Sequence, residues 1–296
     1  MWLIYIYNRN YCCNIIGDNV TLIMSVQSLN NFHFKSFDNL DEDKDADFFI
    51  NSMDALESIP SVRSIKDRAI DAMNLQIGDI VLEAGCGHGR DAQEIGKIVG
   101  NIGRVEAIDV SLKTINEAKV RYPNSNNVNF SVMSANDIKF ANNYFSACHL
   151  DRLLVGHNNY DNMFAEILRT IKPKGIASVT DVDSLSIVMY PFNESTKKIL
   201  KQIQRSFVNP FIGRMLPELF IKQNLKNIHT LPELITIEDF TILSKIFPFP
   251  NIINDMIHND ELTVTEGNSW IDSMYKATND GRFLYCITLF TVIGQK

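Results

Sequence analysis

The eleven residues from Val81 to Asp91, VLEAGCGHGRD, constrain this chain more than any other stretch. A short apolar run ends at Glu83-Ala84, glycines follow at alternate positions, and helix-forming residues begin at Arg90. Glycines in a strand-to-helix turn give the backbone positive φ and let a ligand come close to the main chain. A turn of this kind belongs to a parallel sheet whose strands are joined by crossover helices.

The flanking sequence supplies both elements. β-rich runs alternate with helical ones, and the spacing predicts strands over Ile80 to Ala84, Arg104 to Asp109, Val128 to Met133, Phe145 to Leu150 and Gly175 to Asp181. Crossover helices are expected to start at Gly89, Leu112 and Tyr160, the second closed by Tyr122-Pro123 and the third by Lys172-Pro173. Upstream, Phe48 to Leu75 reads as two helices separated near Pro60.

Downstream the rhythm changes. Asp183 to Pro210 is polar and marked by prolines, GRMLPELFIKQNLKN reads as a helix, and Asn227 to Ile237 reads as a strand. A helical insertion around Glu238 to Phe247, interrupted by Pro248 and Pro250, precedes a last helix over Ser269 to Ala277. After Asn279-Asp280-Gly281 comes RFLYCITLFTVIG, a strand rich in aromatic and β-branched residues. The fold class is therefore α/β: a doubly wound, mostly parallel seven-stranded sheet, with one member of its closing strand pair antiparallel and a helical insertion near the C-terminus.

Residues 48–296 are expected to form one domain. Asn30 to Asp47 reads as a polar, acidic linker, and Met1 to Ile23 as a dispensable leader with Met24 closer to the functional start. Arg9, Asp18 and several asparagines break the leader's apolar character, so neither a membrane span nor a signal peptide is expected there. With 28 Lys+Arg against 35 Asp+Glu the net charge is −7, which disfavours nucleic acid as a partner. Cys12, Cys13, Cys86, Cys148 and Cys286 make an odd, scattered set without zinc-like spacing, which points to a reducing, cytoplasmic setting and no metal.

The chemistry lies at the strand tips. In a dinucleotide fingerprint the third glycine falls five residues after the first, where this chain has Arg90. Glu83, just before the turn, would repel a pyrophosphate but suits a ligand bearing an ammonium group. Asp109, twenty-four residues after Gly85, ends the second strand, where a carboxylate can accept both ribose hydroxyls. It could instead cap the helix LKTINEAKV, although Ser111 can do that. Asp137 follows the third strand in SANDI and can accept from an exocyclic adenine amine, while the Ile138 N–H meets a ring nitrogen; an Asx turn is the alternative.

Glycine turn, ribose carboxylate and adenine carboxylate at three successive strands resemble the class I S-adenosylmethionine-dependent methyltransferases. LRTIKPKGIASVTDVD is similar to the family's stretch through its fifth strand, with Lys172-Pro173-Lys174-Gly175 a mild departure from its usual turn. GRMLPELF and WIDSMYKATNDGRFLYCITLF resemble the small-molecule, ubiquinone and menaquinone biosynthesis-like branch. The resemblance implies that Glu83 and the turn Gly85, Cys86, Gly87 and Gly89 hold the methionine part, with Cys86 a small packing residue. It places Asp109 and Val110 at the ribose, Asp137 and Ile138 at the adenine, and Asp151 in the same cofactor lining.

The implied reaction is methyl transfer from S-adenosylmethionine to a small organic acceptor by direct displacement. Such a step needs mainly proximity and orientation, with a base only where the nucleophile carries a proton. His157 and Asp183 are the candidate bases; Arg152, Asp181 and Arg214 are candidate acceptor contacts, the arginines for an acidic group. Each also has an ordinary structural reading as a loop ion pair or a cap. Residues 63–186 would form the cofactor half and 187–280 the acceptor pocket, with Asp183 to Pro210 and Glu238 to Glu266 as lid and walls. DNA amino-methylation is argued down by DRLLVGH after the fourth strand, and cysteine catalysis by the apolar setting of Cys148. A nicotinamide-dependent oxidoreductase and a non-catalytic nucleoside-binding module are the alternatives.

Overall fold

The computed structural model describes residues 46–296, so the expectations about the leader, the Met24 start, Cys12, Cys13 and most of the linker lie outside the described residues. Two helices open the description, α1 (Ala46–Glu57) and α2 (Pro60–Asp71), with Pro60 at the start of the second, where it needs no N–H partner. There follow β1 (Ile80–Ala84), α3 (Arg90–Val99), β2 (Arg104–Asp109), α4 (Leu112–Arg121), β3 (Val128–Val132), β4 (Phe145–Asp151), α5 (Tyr160–Thr170) and β5 (Ile171–Tyr190). The chain ends with α6 (Glu194–Ser206), α7 (Ile212–Lys222), β6 (Lys226–Ile237), α8 (Phe240–Ile246), α9 (Phe249–His258), α10 (Val264–Asn279) and β7 (Leu284–Gln295). No described helix is long and apolar enough to cross a membrane.

The strands form one seven-stranded sheet in the order β3-β2-β1-β4-β5-β7-β6, with β7 antiparallel to both neighbours, as expected of one member of the closing strand pair. Alternate residues of β1 feed two cores. Leu82 and Ala84 join a cluster with Leu150, Val179 and Phe164, while Val81 joins Val105, Ile95 and Ile115 under α3 and α4. Both faces are covered, which is why the central strands read as near-continuous apolar runs. The chain runs outward from β1 to β3 and then returns to place β4 against β1, so the topological switch lies between β1 and β4.

Two expectations are corrected. Asp183 to Pro210, read only as polar and marked by prolines, holds regular structure: β5 continues to Tyr190 and α6 follows. A register shift between Asp183 and Val188 absorbs the polar DSLS, after which Val188, Met189 and Tyr190 pair with Cys286, Tyr285 and Leu284. In α6, Ile199, Leu200 and Ile203 are buried at helical spacing among otherwise polar residues. The insertion after β6 is two helices rather than one interrupted helix, because Pro250 lies in the first turn of α9, where proline starts a helix instead of breaking it. These helices carry their own aromatic cluster, Phe240 against Phe249, Trp270 and Phe283, so this part of the expected lid and walls is packed core.

Candidate functional site

The turn between β1 and α3 is built as its glycines require. Gly85 has φ +75°, and a Cβ there would lie 2.9 Å from Leu153 Cδ1; Gly89 has φ +85°, and a Cβ would lie 2.5 Å from the Phe130 ring. The Gly87 amide donates to Asp109 Oδ2 (2.9 Å) and the Ser111 amide to Asp109 Oδ1 (2.9 Å). Asp109 thereby ties the end of β2 to the glycine turn, with Val110 exposed beside it. The cap of α4 falls to Ser111, whose hydroxyl accepts from the Thr114 amide (3.2 Å). Met53 of α1 stands over Gly87, 3.0 Å from where a Cβ would be.

Glu83 is buried beside the turn, in register with Ala107 on one side and His149 on the other. Its Oε2 has no hydrogen-bond partner among the described residues. Burial, followed by the like charge of Asp91, holds its carboxyl well above the usual carboxylate range.

Around it lies a buried charge cluster that the sequence reading did not single out. Lys66 Nζ of α2 is 2.7 Å from Asp91 Oδ2, 3.1 Å from Asp151 Oδ2 and 3.5 Å from Glu57 Oε1. Burial alone would lower the lysine's pKa, but Asp151 and Asp91 outweigh it and raise it. For Asp91, burial pushes upward and is outweighed by Lys66 and His149 together, so its carboxyl sits well below the usual range. His149 Nε2 lies 3.6 Å from Asp91 Oδ2, just beyond hydrogen-bond length. His88, in the turn, lies 3.5 Å from Asp54 Oδ1, and burial lowers its pKa. Asp91 closes the motif already quoted and was legible to that extent. Lys66, flanked by Ile65 and Asp67, carries no such signal.

Several expected site residues turn out to be committed within the protein. Asp151 is held by Arg152 Nη2 (2.5 Å) and Nε (3.0 Å) as well as by Lys66, so Arg152 is a loop ion-pair partner rather than an open acceptor contact. Asp137 is exposed and bonded to the Lys139 ammonium. The Ile138 amide donates to Glu166 Oε1 (2.9 Å) and its side chain is buried, so the ring-nitrogen role expected of that N–H would require Glu166 to give way. Asp181 is fully buried, accepting from the Val155 amide (3.1 Å) and its neighbour Val182 (3.0 Å). Burial pushes its carboxyl up to about 7. It latches β5 to the 3-10 turn Leu154–Gly156.

Asp183 and Arg214, expected as separate contacts, are brought together: the arginine donates to Asp183 Oδ2 from Nε (2.6 Å) and its Nη2 lies 2.5 Å from the same oxygen, while Leu185 N–H donates to Oδ1 (3.2 Å). His157 is buried in the same neighbourhood, its carbonyl accepting from the Asn209 side chain. Burial pushes the Cys148 thiol up to about 12 and raises Cys86 as well, which suits packing and not nucleophilic roles.

Residues 81–175 match the family model described as Methyltransferase domain. The chain is 28% identical to a 2-phytyl-1,4-naphtoquinone methyltransferase from a Nostoc species, over 53% of its own length and 68% of the relative's. It is 27% identical to the ubiquinone/menaquinone biosynthesis C-methyltransferase UbiE of Coxiella burnetii over 55% of its length, a match spanning 62% of that relative. Its fold is similar to that of the YcgJ protein from Bacillus subtilis, with a TM-score of 0.57, 14% identity, and coverage of 78% of this chain and 97% of the other.

Proposed function

The chain belongs to the class I S-adenosylmethionine-dependent methyltransferases, and on that premise we propose that it passes the methyl group to a small organic acceptor by direct displacement. One observation carries the assignment of the cofactor to this site: a buried carboxylate, Glu83, leaves an acceptor atom without a protein partner beside the glycine turn. A buried acceptor without a donor costs about 1–3 kcal/mol, and a ligand ammonium is the donor that chemistry supplies best. A pyrophosphate would place like charge against Glu83, which argues against the nicotinamide reading.

When bound, S-adenosylmethionine supplies an electrophilic methyl on a sulfonium. The chain's own residues bind and orient. Glu83 and the Gly85 to Gly89 turn face the amino-acid part, and Asp109, positioned by two amide donors at the end of β2, faces the ribose hydroxyls. Asp137 stands at the third strand tip, toward the adenine. Met53 and Lys66, reaching in from α1 and α2, help to exclude water. On the acceptor side, Asp183 is held by Arg214 and Asp181 by main-chain donors, which makes proximity the main catalytic effect, with His157 and Asp183 the candidate bases.

Titration calorimetry with S-adenosylhomocysteine and with NAD tests this reading. S-adenosylhomocysteine should bind and NAD should not, and Asp109→Ala and Gly87→Arg should each weaken binding at least tenfold, about 1.4 kcal/mol. NAD binding in preference would return the oxidoreductase. Cofactor binding without methyl transfer to any acceptor in a broad panel would favour the non-catalytic module.

A further inference from the structure

We infer that the acceptor carries an oxyanion on an apolar body and that Arg214 reads the oxyanion; the inference rests on the acceptor side assigned above. Of the two arginines at that side, Arg152 is spent on Asp151, whereas the Arg214 side chain is 48% exposed while its partner Asp183 is 4% exposed. Asp183 meets the Nε and Nη2 side of the guanidinium through a single oxygen. Nη1 has no hydrogen-bond partner among the described residues, and the edge between Nη1 and Nη2 presents the parallel N–H pair that fits a carboxylate or a phosphate.

The arginine is fixed in place and does not trail in solvent. Gly213 brings α7 so close to β5 that a Cβ there would meet the Asp181 and Val182 carbonyl oxygens at 2.8 Å. This seats Arg214 over Asp183, two residues beyond Asp181, on the sheet edge that also bears the glycine turn. The Asn209 side chain binds the Leu154 carbonyl (2.9 Å), tying the entry to α7 to the turn after β4. Leu185, whose amide binds Asp183, and Phe211 and Met215, which flank Arg214 in the chain, are exposed large apolar side chains. A held cation on a segment that also exposes large apolar side chains complements a ligand whose charged end is short and whose remainder is greasy.

Matched probes separate charge from apolar burial. Octanoate, octyl phosphate, 1-octanol and acetate are titrated calorimetrically into protein saturated with S-adenosylhomocysteine. At least one of the two amphipathic anions should bind ten times or more tighter than both octanol and acetate, and which of them does so names the carboxylate or the phosphate. Arg214→Gln should abolish that preference, Arg214→Lys should keep part of it, and both should retain the wild-type affinity for S-adenosylhomocysteine. Equal affinity for octanol and the anions, binding of none of the anions, or a preference that survives Arg214→Gln would overturn the inference. Failure of S-adenosylhomocysteine itself to bind would instead defeat the cofactor reading, so the two failures are told apart.

Discussion

Lys66 Nζ stands 2.7 Å from Asp91 Oδ2, and this ion pair joins α2 to the first turn of α3 beneath the glycine turn. Both partners are almost fully buried, so each depends on the other to offset the cost of leaving water.

Replacing Lys66 by Met should therefore destabilise the fold by about 3 kcal/mol, the lower end for a broken buried pair, because Arg90 and Arg152 still contact Asp91 and Asp151. The Asp91 contribution, from a lowered carboxyl, is present above about pH 3.9 and lost as pH falls through the folded value; that of Lys66, from a raised amine, is present below about pH 10.4 and lost as pH rises further. Urea midpoints at pH 7 and pH 3 should show the gap between wild type and Lys66→Met narrowing in acid. A constant gap would mean that packing, not charge, holds Lys66.

Glu83→Gln should separate stability from binding. Glu83 sits buried near the like charge of Asp91 with one oxygen unpartnered, so a neutral isostere should leave the urea midpoint at pH 8 unchanged or higher. The same change should weaken S-adenosylmethionine binding at least tenfold in calorimetry. Loss of stability with affinity intact would show that Glu83 serves the fold and not the ligand.

Asp181, pushed up to about 7 by burial, predicts a slope of the opposite sign to that of Asp91. Its contribution is complete below about pH 3.9 and fades as pH rises to about 7, on the order of 4 kcal/mol in all. Asp181→Asn cannot ionise, so its stability relative to wild type should improve between pH 4.5 and 7.5, even though one amide partner is lost at every pH. Parallel wild-type and variant curves over that range would assign the titration elsewhere.

Gly89→Ala combines left-handed backbone with a 2.5 Å approach to the Phe130 ring, and should cost about 2–4 kcal/mol. Pairing it with Phe130→Leu should recover the steric share and leave the conformational one, which a double-mutant cycle of denaturation free energies resolves. Full additivity would show that the ring is not the obstacle.

Most of the fold was legible because the signals are local. β1 and β2 match their predicted bounds, and α4 and α5 begin at the predicted Leu112 and Tyr160, each set by apolar runs, a Ser111 cap or a nearby proline. The last strand followed from its β-branched and aromatic run after the Asn-Asp-Gly turn. The misread stretches, 183–210 and the helices after β6, are those where polar residues dominate the sequence but a few spaced apolar ones carry the packing, as Ile199 and Ile203 do in α6.

The glycine turn, the carboxylates at successive strand tips and the sheet they require were all legible along the chain, because backbone conformation and strand alternation are dictated by sequence neighbours. Which charges meet depends on the folded arrangement. Lys66 reaches Asp91 across 25 positions and Asp151 across 85, Arg214 reaches Asp183 across 31, and Glu166 takes the Ile138 amide across 28. Pairing depends on how helices cross the sheet and on the loss of water around each group, and neither is encoded in the spacing of residues along the chain.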